Sequence, residues 1–192
     1  MFGQKNGYGK YYDENGIMKY EGSFVEGMKS GKGKEYASDG TVVYEGQYLT
    51  DKKHGYGQEY DDDGILEYEG QFDQNERSGF GKEYYDDGDL LYEGEYKNGT
   101  RNGYGKEYDE NNELRYIGNW LEGKQDGNGT HFENKIKLYD GNWKMGKKHG
   151  KGASYHSSGN VLYDGNWKMG KIFGYGISYF PAGGIQYEGE FK

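Results

Sequence analysis

The 192-residue sequence contains no cysteine, a single proline and no long run of hydrophobic residues. The absence of cysteine excludes disulfide bonds, thiolate metal sites and cysteine nucleophiles. A transmembrane helix would need about 18 consecutive apolar residues, and no such run is present. No apolar signal-peptide stretch follows Met1, so we expect a cytoplasmic protein. Hydrophobic residues make up only 32% of the chain, and aromatic residues alone account for 18%. An ordinary core of aliphatic side chains is therefore excluded.

Glycine and tyrosine are abundant instead, with 37 and 23 copies. One recurring unit consists of tyrosine, an acidic residue, glycine, any residue and an aromatic residue, with Ile117 replacing the acidic residue in one copy. The tyrosines that begin this unit, called anchor tyrosines below, are Tyr20, Tyr44, Tyr68, Tyr92, Tyr116, Tyr139, Tyr163 and Tyr187. Their spacing is 24 residues, except for one interval of 23. A second unit, Gly-x-Gly-x-x-aromatic, recurs in phase with the first, which identifies a repeat protein.

Within each period the residues alternate as they do in β-strands. In one copy Leu66, Tyr68, Gly70 and Phe72 fall on one face, and polar residues fall on the other. Turn sequences such as 61–64, Asp-Asp-Asp-Gly, separate the strands, and one copy has Asn112 in place of the turn glycine. Helix is disfavoured because interior glycines each cost about 1 kcal/mol relative to alanine.

The pattern predicts an all-β fold, an elongated and twisted single antiparallel sheet of consecutive β-hairpins with about sixteen short strands. Residues 1–192 form one array of seven to eight 24-residue repeats, with half repeats at both ends. The copy around residues 134–139 is one residue shorter and carries Lys137 at an apolar-face position, so we expect a local bulge or bend there.

Glycine normally weakens a strand, so its regular placement on the aromatic face needs an explanation. Glycines leave bare backbone over which a ring from the neighbouring strand can lie, an arrangement known to rescue glycine in sheets. Tyrosines stacked from hairpin to hairpin would then supply the core that aliphatic residues cannot. A lone hairpin is marginal in water, so the stability must come from contacts between neighbouring repeats.

The repeat resembles that of the MORN family (membrane occupation and recognition nexus). Its pattern of Tyr-Glu-Gly-x-aromatic followed by His-Gly-x-Gly is matched at residues 44–48 with 54–57, and again at 139–143 with 149–152. The resemblance covers essentially the whole chain and implies a β-hairpin array that serves as a scaffold or binding module. Members of this family stand alone or are attached to catalytic domains.

No constellation in the sequence indicates catalysis, a cofactor or a metal. Histidines occur at His54, His131, His149 and His156, and we expect structural roles because equivalent repeats carry serine, asparagine or aspartate at the positions of His54 and His149. A catalytic triad needs unlike residues converging from different elements, whereas a repeat produces rows of like residues. The Gly-x-Gly pairs lack the lysine and the helix of a phosphate loop. We therefore expect a protein that is not an enzyme and has no cofactor.

The aromatic face is the first candidate for binding. We expect a groove on this face to receive a partner protein, for example through an amphipathic helix. Alternatively the rings are consumed by packing on one another, and we expect most of each ring to be core with some edges lining the groove. The candidate partner-binding residues are Tyr20, Tyr44, Tyr68, Tyr92, Tyr116, Tyr139, Tyr163, Trp120, Trp143 and Trp167.

Charge is distributed unevenly along the chain. Residues 1–96 contain 10 Lys+Arg and 22 Asp+Glu, net −12, whereas residues 97–192 contain 14 and 11, net +3. Lysines gather beside two of the tryptophans, at Lys144, Lys147, Lys148, Lys151, Lys168 and Lys171. They are candidates to contact anionic lipid head groups or an acidic protein surface, the alternative being that they only keep the chain soluble. The overall acidity disfavours nucleic acid as a partner.

The leading interpretation is a non-enzymatic scaffold that binds partner proteins. The family resemblance adds the cytoskeleton, the cilium or a membrane as the place where it acts. The alternatives are a peripheral module that binds anionic phospholipids and a regulatory repeat domain of a larger enzyme. A carbohydrate or choline binder is less favoured, because such proteins carry more paired tryptophans. Half repeats at both ends would leave sheet edges bare, so we expect a homodimer or larger assembly, or a longer parent chain.

Overall fold

In the computed structural model, which describes residues 3–192, every regular element is a β-strand. The chain divides into two compact units, Met1–Thr100 and Arg101–Lys192. Each unit is an antiparallel sheet in which every strand pairs with the next strand in sequence. The predicted all-β fold of consecutive antiparallel hairpins is therefore confirmed.

The first unit contains eight strands joined by short turns. They are β1 (Gly7–Tyr12), β2 (Met18–Val25), β3 (Met28–Tyr36), β4 (Val42–Leu49), β5 (Lys52–Tyr60), β6 (Leu66–Asp73), β7 (Glu76–Tyr84) and β8 (Leu90–Lys97).

The second unit repeats this organisation, and only the first residue of its β9 is counted with the first unit. Its strands are β9 (Thr100–Tyr108), β10 (Leu114–Leu121), β11 (Lys124–Glu133), β12 (Ile136–Lys144), β13 (Lys147–Tyr155), β14 (Val161–Lys168), β15 (Lys171–Tyr179) and β16 (Ile185–Phe191).

Two kinds of turn alternate along the chain. In the longer kind, between β5 and β6, the Asp61 side chain accepts hydrogen bonds from the backbone of Asp63 and Ile65 at 2.9 and 2.8 Å. Gly64 closes this turn in the left-handed region with φ of 81°, and Asn112 fills the equivalent place with φ of 57°, as predicted. In the shorter kind, two consecutive residues with positive φ join the strands, which suits the twist of a hairpin.

The shortened copy is accommodated in its turn. Asn134 and Lys135 form a two-residue connection with φ of 49° and 64°, in place of the longer turn found in the other repeats. The predicted bulge is present between His131 and Phe132, but every repeat has a bulge at the equivalent place. The bulge is therefore a general feature of the repeat, and the tighter turn absorbs the deletion.

The core of each unit lies on one face of its sheet. This anchor face carries the anchor tyrosines, the aromatic residues four positions later and the glycines between them. The anchor tyrosines from Tyr20 to Tyr163 are all 0% exposed. Tyr187 in β16 is 46% exposed, because no further strand packs against it within the described residues. Burial of an anchor tyrosine thus depends on the repeat that follows it, as in other repeat proteins.

Candidate functional site

Tyr68 illustrates how each repeat builds the anchor face. Its ring lies against the backbone of Gly70 and Gly81, which pair with each other across β6 and β7. A methyl group on either glycine would overlap the tyrosine side chain. The hydroxyl donates a hydrogen bond to the backbone oxygen of Gln71 at 3.1 Å. The predicted packing of a ring on bare backbone is therefore confirmed.

Edge-to-face contacts connect the repeats within each unit. The ring centroid of Tyr68 lies 5.2 Å from that of Phe72 in its own repeat and 5.2 Å from that of Tyr96 in the next. The interplanar angles of 84° and 82° are those that the aromatic quadrupole favours, and such pairs contribute about 0.5–1.5 kcal/mol each. In the second unit Tyr139 contacts Trp143 and Trp167 in the same way, at 5.2 and 5.3 Å.

The residues predicted to bind a partner on this face are deeply buried. The seven predicted tyrosines are 0% exposed, and the three tryptophans are 5–8% exposed. The indole of Trp143 donates to the Gly129 carbonyl at 3.0 Å, and that of Trp167 donates to the Gly152 carbonyl at 2.8 Å. Burial, together with nearby carboxylates, raises the pKa of Tyr20 to about 12, so its phenol is neutral at pH 7. A partner on this face would meet the residues that cover the rings. The role of the seven tyrosines and three tryptophans in partner binding stays a prediction.

Those covering residues are charged in the first unit. Three of the cations lie nine residues after an anchor tyrosine, and each of these three is followed six residues later by a glutamate. Lys53 places its Nζ 4.6 Å from the Tyr44 ring centroid and 2.6 Å from Glu59 Oε1. Arg77 contacts Glu59 at 2.9 Å and Glu83 at 3.3 Å. A lattice of opposite charges therefore lies over the aromatic layer.

Glu59 shows the electrostatics of this lattice. Burial by itself raises the pKa of its carboxyl, but the hydrogen bonds and charges of Lys53 and Arg77 outweigh this effect and lower the pKa. The carboxylate is thus ionised at neutral pH and held between two cations. Buried polar groups that are satisfied in this way restrict side-chain motion and define a single arrangement of the surface.

The opposite face of each unit presents exposed aromatic residues, each at the central position of a Gly-x-Gly unit. These residues, all more than half exposed, are Tyr8, Tyr56 and Phe80 in the first unit, called the aromatic row below, and Tyr104 and Tyr175 in the second. The hydroxyl of Tyr56 donates to Glu69 at 3.2 Å, and that of Tyr8 donates to Glu21 at 2.6 Å. These exposed residues were not predicted from the sequence, although an aromatic residue between two glycines marks each of them.

A cleft of about 390 Å³ opens on the same face of the first unit. It lies between Tyr8 and Tyr56, where Lys32 occupies the position of the missing aromatic residue. Lys34 and Glu45, which also line it, form an ion pair at 2.7 Å. The cleft therefore lies where the aromatic row is interrupted, and charged side chains line it.

Two family models match the chain. The MORN repeat model matches seven segments, at residues 20–42, 44–65, 68–90, 92–113, 116–134, 139–161 and 163–185. A model of a MORN repeat variant matches residues 5–26. The chain belongs to the MORN-repeat family. MORN repeats are commonly repeats that interact with proteins or membranes, and an all-β repeat of this kind is a non-catalytic type of interaction module. A search of curated proteins finds no significant match.

The MORN fold separates the six lysines predicted to contact an anionic surface. By strand alternation, Lys148 lies on the anchor face and the other five lie on the opposite face. Lys144 forms an ion pair with Asp126 at 3.3 Å. Lys144 and Lys147 flank the turn that exposes Met145, and the next hairpin repeats this arrangement with Lys168, Lys171 and Met169. Their contact with an anionic partner stays a prediction.

Metal binding and membrane insertion would each need a feature of their own in residues 3–192. No group of three histidine, aspartate or glutamate side chains in this range could hold a metal ion. The same range contains no helix long and apolar enough to cross a bilayer. The absence of catalysis and of a cofactor stays a prediction.

Proposed function

We propose that this MORN array is a non-enzymatic scaffold that binds partner proteins along its repeats. The observation that carries the proposal is the aromatic row of the opposite face. Tyr56 and Phe80 occupy the same register position in neighbouring repeats and are 55% and 54% exposed. Exposed aromatic residues are typical anchors of protein interfaces.

The rigidity of the row supports the same function. The strands that carry it are held by the buried rings of the anchor face, and the Tyr56 hydroxyl is held by Glu69. A surface that is already ordered loses little conformational entropy when it binds. Regularly spaced anchors on such a surface suit an extended partner segment.

The arrangement of titratable side chains supports a non-catalytic role. On the anchor face of the first unit, cations and carboxylates pair with one another in rows. Catalytic sites instead bring unlike groups together around one reacting atom. The alternative is a regulatory domain within a larger enzyme. It is tested by determining whether the full reading frame also encodes a catalytic domain.

Affinity capture with the full chain tests the scaffold function. The wild-type chain and the Tyr56→Ser/Phe80→Ser variant are compared as baits by quantitative mass spectrometry. An Asp62→Ser/Asp63→Ser variant is the control, because these residues lie in an exposed turn between β5 and β6. We expect proteins retained by the wild type and the control to be lost by the aromatic variant. Identical protein sets on all three baits would refute binding through this row.

Binding to anionic membranes is a second candidate, which the two Lys-Met-Gly-Lys hairpin ends favour. Each end exposes a methionine between two lysines, a combination of apolar and cationic groups that suits a lipid surface. Flotation with vesicles containing about 30% phosphatidylserine in phosphatidylcholine tests it. Replacing Lys144, Lys147, Lys168 and Lys171 by glutamine should abolish binding at low salt. A Lys10→Gln/Lys82→Gln variant is the control, and equal binding by all proteins would exclude the hairpin ends.

A further inference from the structure

Three cations on the anchor face of the first unit follow one rule, which the exposed Lys5, just before the edge strand β1, does not share. Each of the three meets the carboxylate of the glutamate six residues later in the same repeat. The ion pairs are Lys29–Glu35 at 2.6 Å, Lys53–Glu59 at 2.6 Å and Arg77–Glu83 at 3.3 Å. Because the ammonium or guanidinium lies directly over aromatic rings, the carboxylate neutralises a cation that is partly removed from water.

Lys148 in β13 occupies the same place in its repeat. Its Nζ lies 4.9 Å from the ring centroid of Tyr139 and 5.0 Å from that of Trp167. The corresponding distances of Lys29 are 4.9 and 5.3 Å. The residue six positions after Lys148 is Ser154, and within residues 3–192 the Lys148 ammonium makes no ion pair. Burial alone lowers the pKa of this amine, which reflects an environment without a compensating anion.

Ser154 provides a second, independent observation. It is only 5% exposed, and its Oγ has no hydrogen-bond partner among the described residues. Its backbone pairs with Tyr139 and Tyr163, the register position that Glu59 holds between Tyr44 and Tyr68. A buried hydroxyl without a partner is costly and is uncommon in folded proteins.

His131 replaces the glutamate on the other side of Lys148. It pairs with Tyr139 from the preceding strand, and its pKa is lowered by burial and by the charges of Lys148 and Arg115. The imidazole is thus neutral at pH 7 and supplies no anion. Where Arg77 lies between two carboxylates, Lys148 lies between a neutral imidazole and a hydroxyl.

We propose that Lys148 and Ser154 bind the carboxylate of an aspartate or glutamate side chain on a partner protein. This carboxylate takes the place that the chain's own glutamates fill in the first unit, and the Ser154 hydroxyl donates to it. A lipid phosphate is a poorer fit, because Lys148 lies on the anchor face, away from the exposed lysines of the hairpin ends. The proposal rests on the scaffold function and names the chemistry of one of its contacts.

Binding of an acidic peptide to the full chain tests the site. The probe is a blocked peptide of six glutamates. Its binding is followed by the NMR signals of the Trp167 indole, whose ring lies 5.0 Å from Lys148 Nζ, and of the Trp143 indole, the cross-strand register partner of Lys148. Lys148→Met removes the charge and keeps the apolar stem. Ser154→Glu restores the glutamate of the other repeats and should occupy the site from within the chain.

Two matched variants are the controls. Ser178→Glu places a glutamate in the same register one repeat later, where Ile172 replaces the cation. Lys147→Met removes a neighbouring lysine that lies on the opposite face. We expect Lys148→Met and Ser154→Glu each to weaken binding of the peptide at least about ten-fold, because a charged hydrogen bond is lost. The controls should stay within about two-fold of the wild type, the ordinary context-dependence of a surface substitution.

Several results would overturn the proposal. One is that the peptide does not bind the wild type. Another is that Lys147→Met weakens peptide binding as much as Lys148→Met does. A third is that the peptide binds Ser154→Glu as tightly as the wild type, provided that this variant keeps the circular dichroism spectrum of the wild type. If Ser154→Glu abolishes flotation with phosphatidylserine vesicles but leaves peptide binding intact, the occupant is a phospholipid and the proposal is wrong. If captured proteins are retained equally by wild type and Ser154→Glu, the carboxylate site is wrong while the scaffold function stands.

Discussion

Replacing Gly81 by alanine tests the contact between ring and backbone on which the core depends. Gly81 is not in the left-handed region, so its backbone conformation is open to alanine. The added Cβ would overlap the ring and hydroxyl of Tyr68. Overpacking of this kind costs about 1–3 kcal/mol. The intrinsic preference for alanine over glycine in a strand works in the opposite direction, by about 0.5–1 kcal/mol.

A double-mutant cycle isolates the steric contribution. In the Tyr68→Leu background the ring is absent, so Gly81→Ala should be neutral or slightly stabilising. The coupling energy between the two sites should therefore be about 1–3 kcal/mol, well above the near-zero coupling energy of independent sites. Urea unfolding of the four proteins, followed by circular dichroism, measures the free energies of unfolding.

Gly88→Ala is the matched control for this cycle. Gly88 lies in a turn with φ of 88°, and an added Cβ there would have no atom within 4 Å. Its replacement should lower the free energy of unfolding by about 1–2 kcal/mol through backbone strain alone. This loss should be the same with or without the Tyr68 ring. If Gly81→Ala also costs the same in both backgrounds, the reasoning about ring-on-glycine packing is refuted.

Three further predictions concern single residues, each measured by urea unfolding. The lowered pKa of Glu59 means that its contribution to stability is present above the ordinary value of 4.5 and is lost as pH falls through the lower folded value. Glu59→Gln should therefore reduce the loss of stability on acidification, and an unchanged pH profile would contradict the ion-pair lattice. Asn112→Ala should cost about 1–2 kcal/mol because φ is 57°, whereas Asn112→Gly should cost little. Tyr116→Phe should cost about 0.5–1.5 kcal/mol, because the hydroxyl donates to a backbone oxygen at 3.1 Å and the ring contacts remain.

Much of the fold could be predicted because its information is local and repeated. The alternation in residues 66–72 identifies a strand, and the return of the same residue types every 24 positions identifies the repeat. The turn position of Asn112 was also predictable, because asparagine is among the few residues that tolerate positive φ. The packing of rings on glycine followed from the presence of both residue types on one face.

The functional surfaces were less predictable because they depend on contacts across strands. Lys53 and Glu59 are six residues apart, and they meet only because the irregular register between β4 and β5 brings both side chains over the Tyr44 ring. The lysines near Trp143 and Trp167 form one group in sequence, yet strand alternation sends Lys148 to the anchor face and Lys147 to the other. Composition carries no information about this division, which depends on the turn and the irregular register between β12 and β13.

The sequence by itself determined that this protein consists of β-hairpins with tyrosine packed on glycine, because each repeat encodes its own strands, turns and apolar face. Only the tertiary structure decided which charges over the rings are neutralised within the chain and which, like Lys148, are not. The reason is that the distances between side chains on neighbouring strands are set by register and bulges, which no single repeat specifies alone.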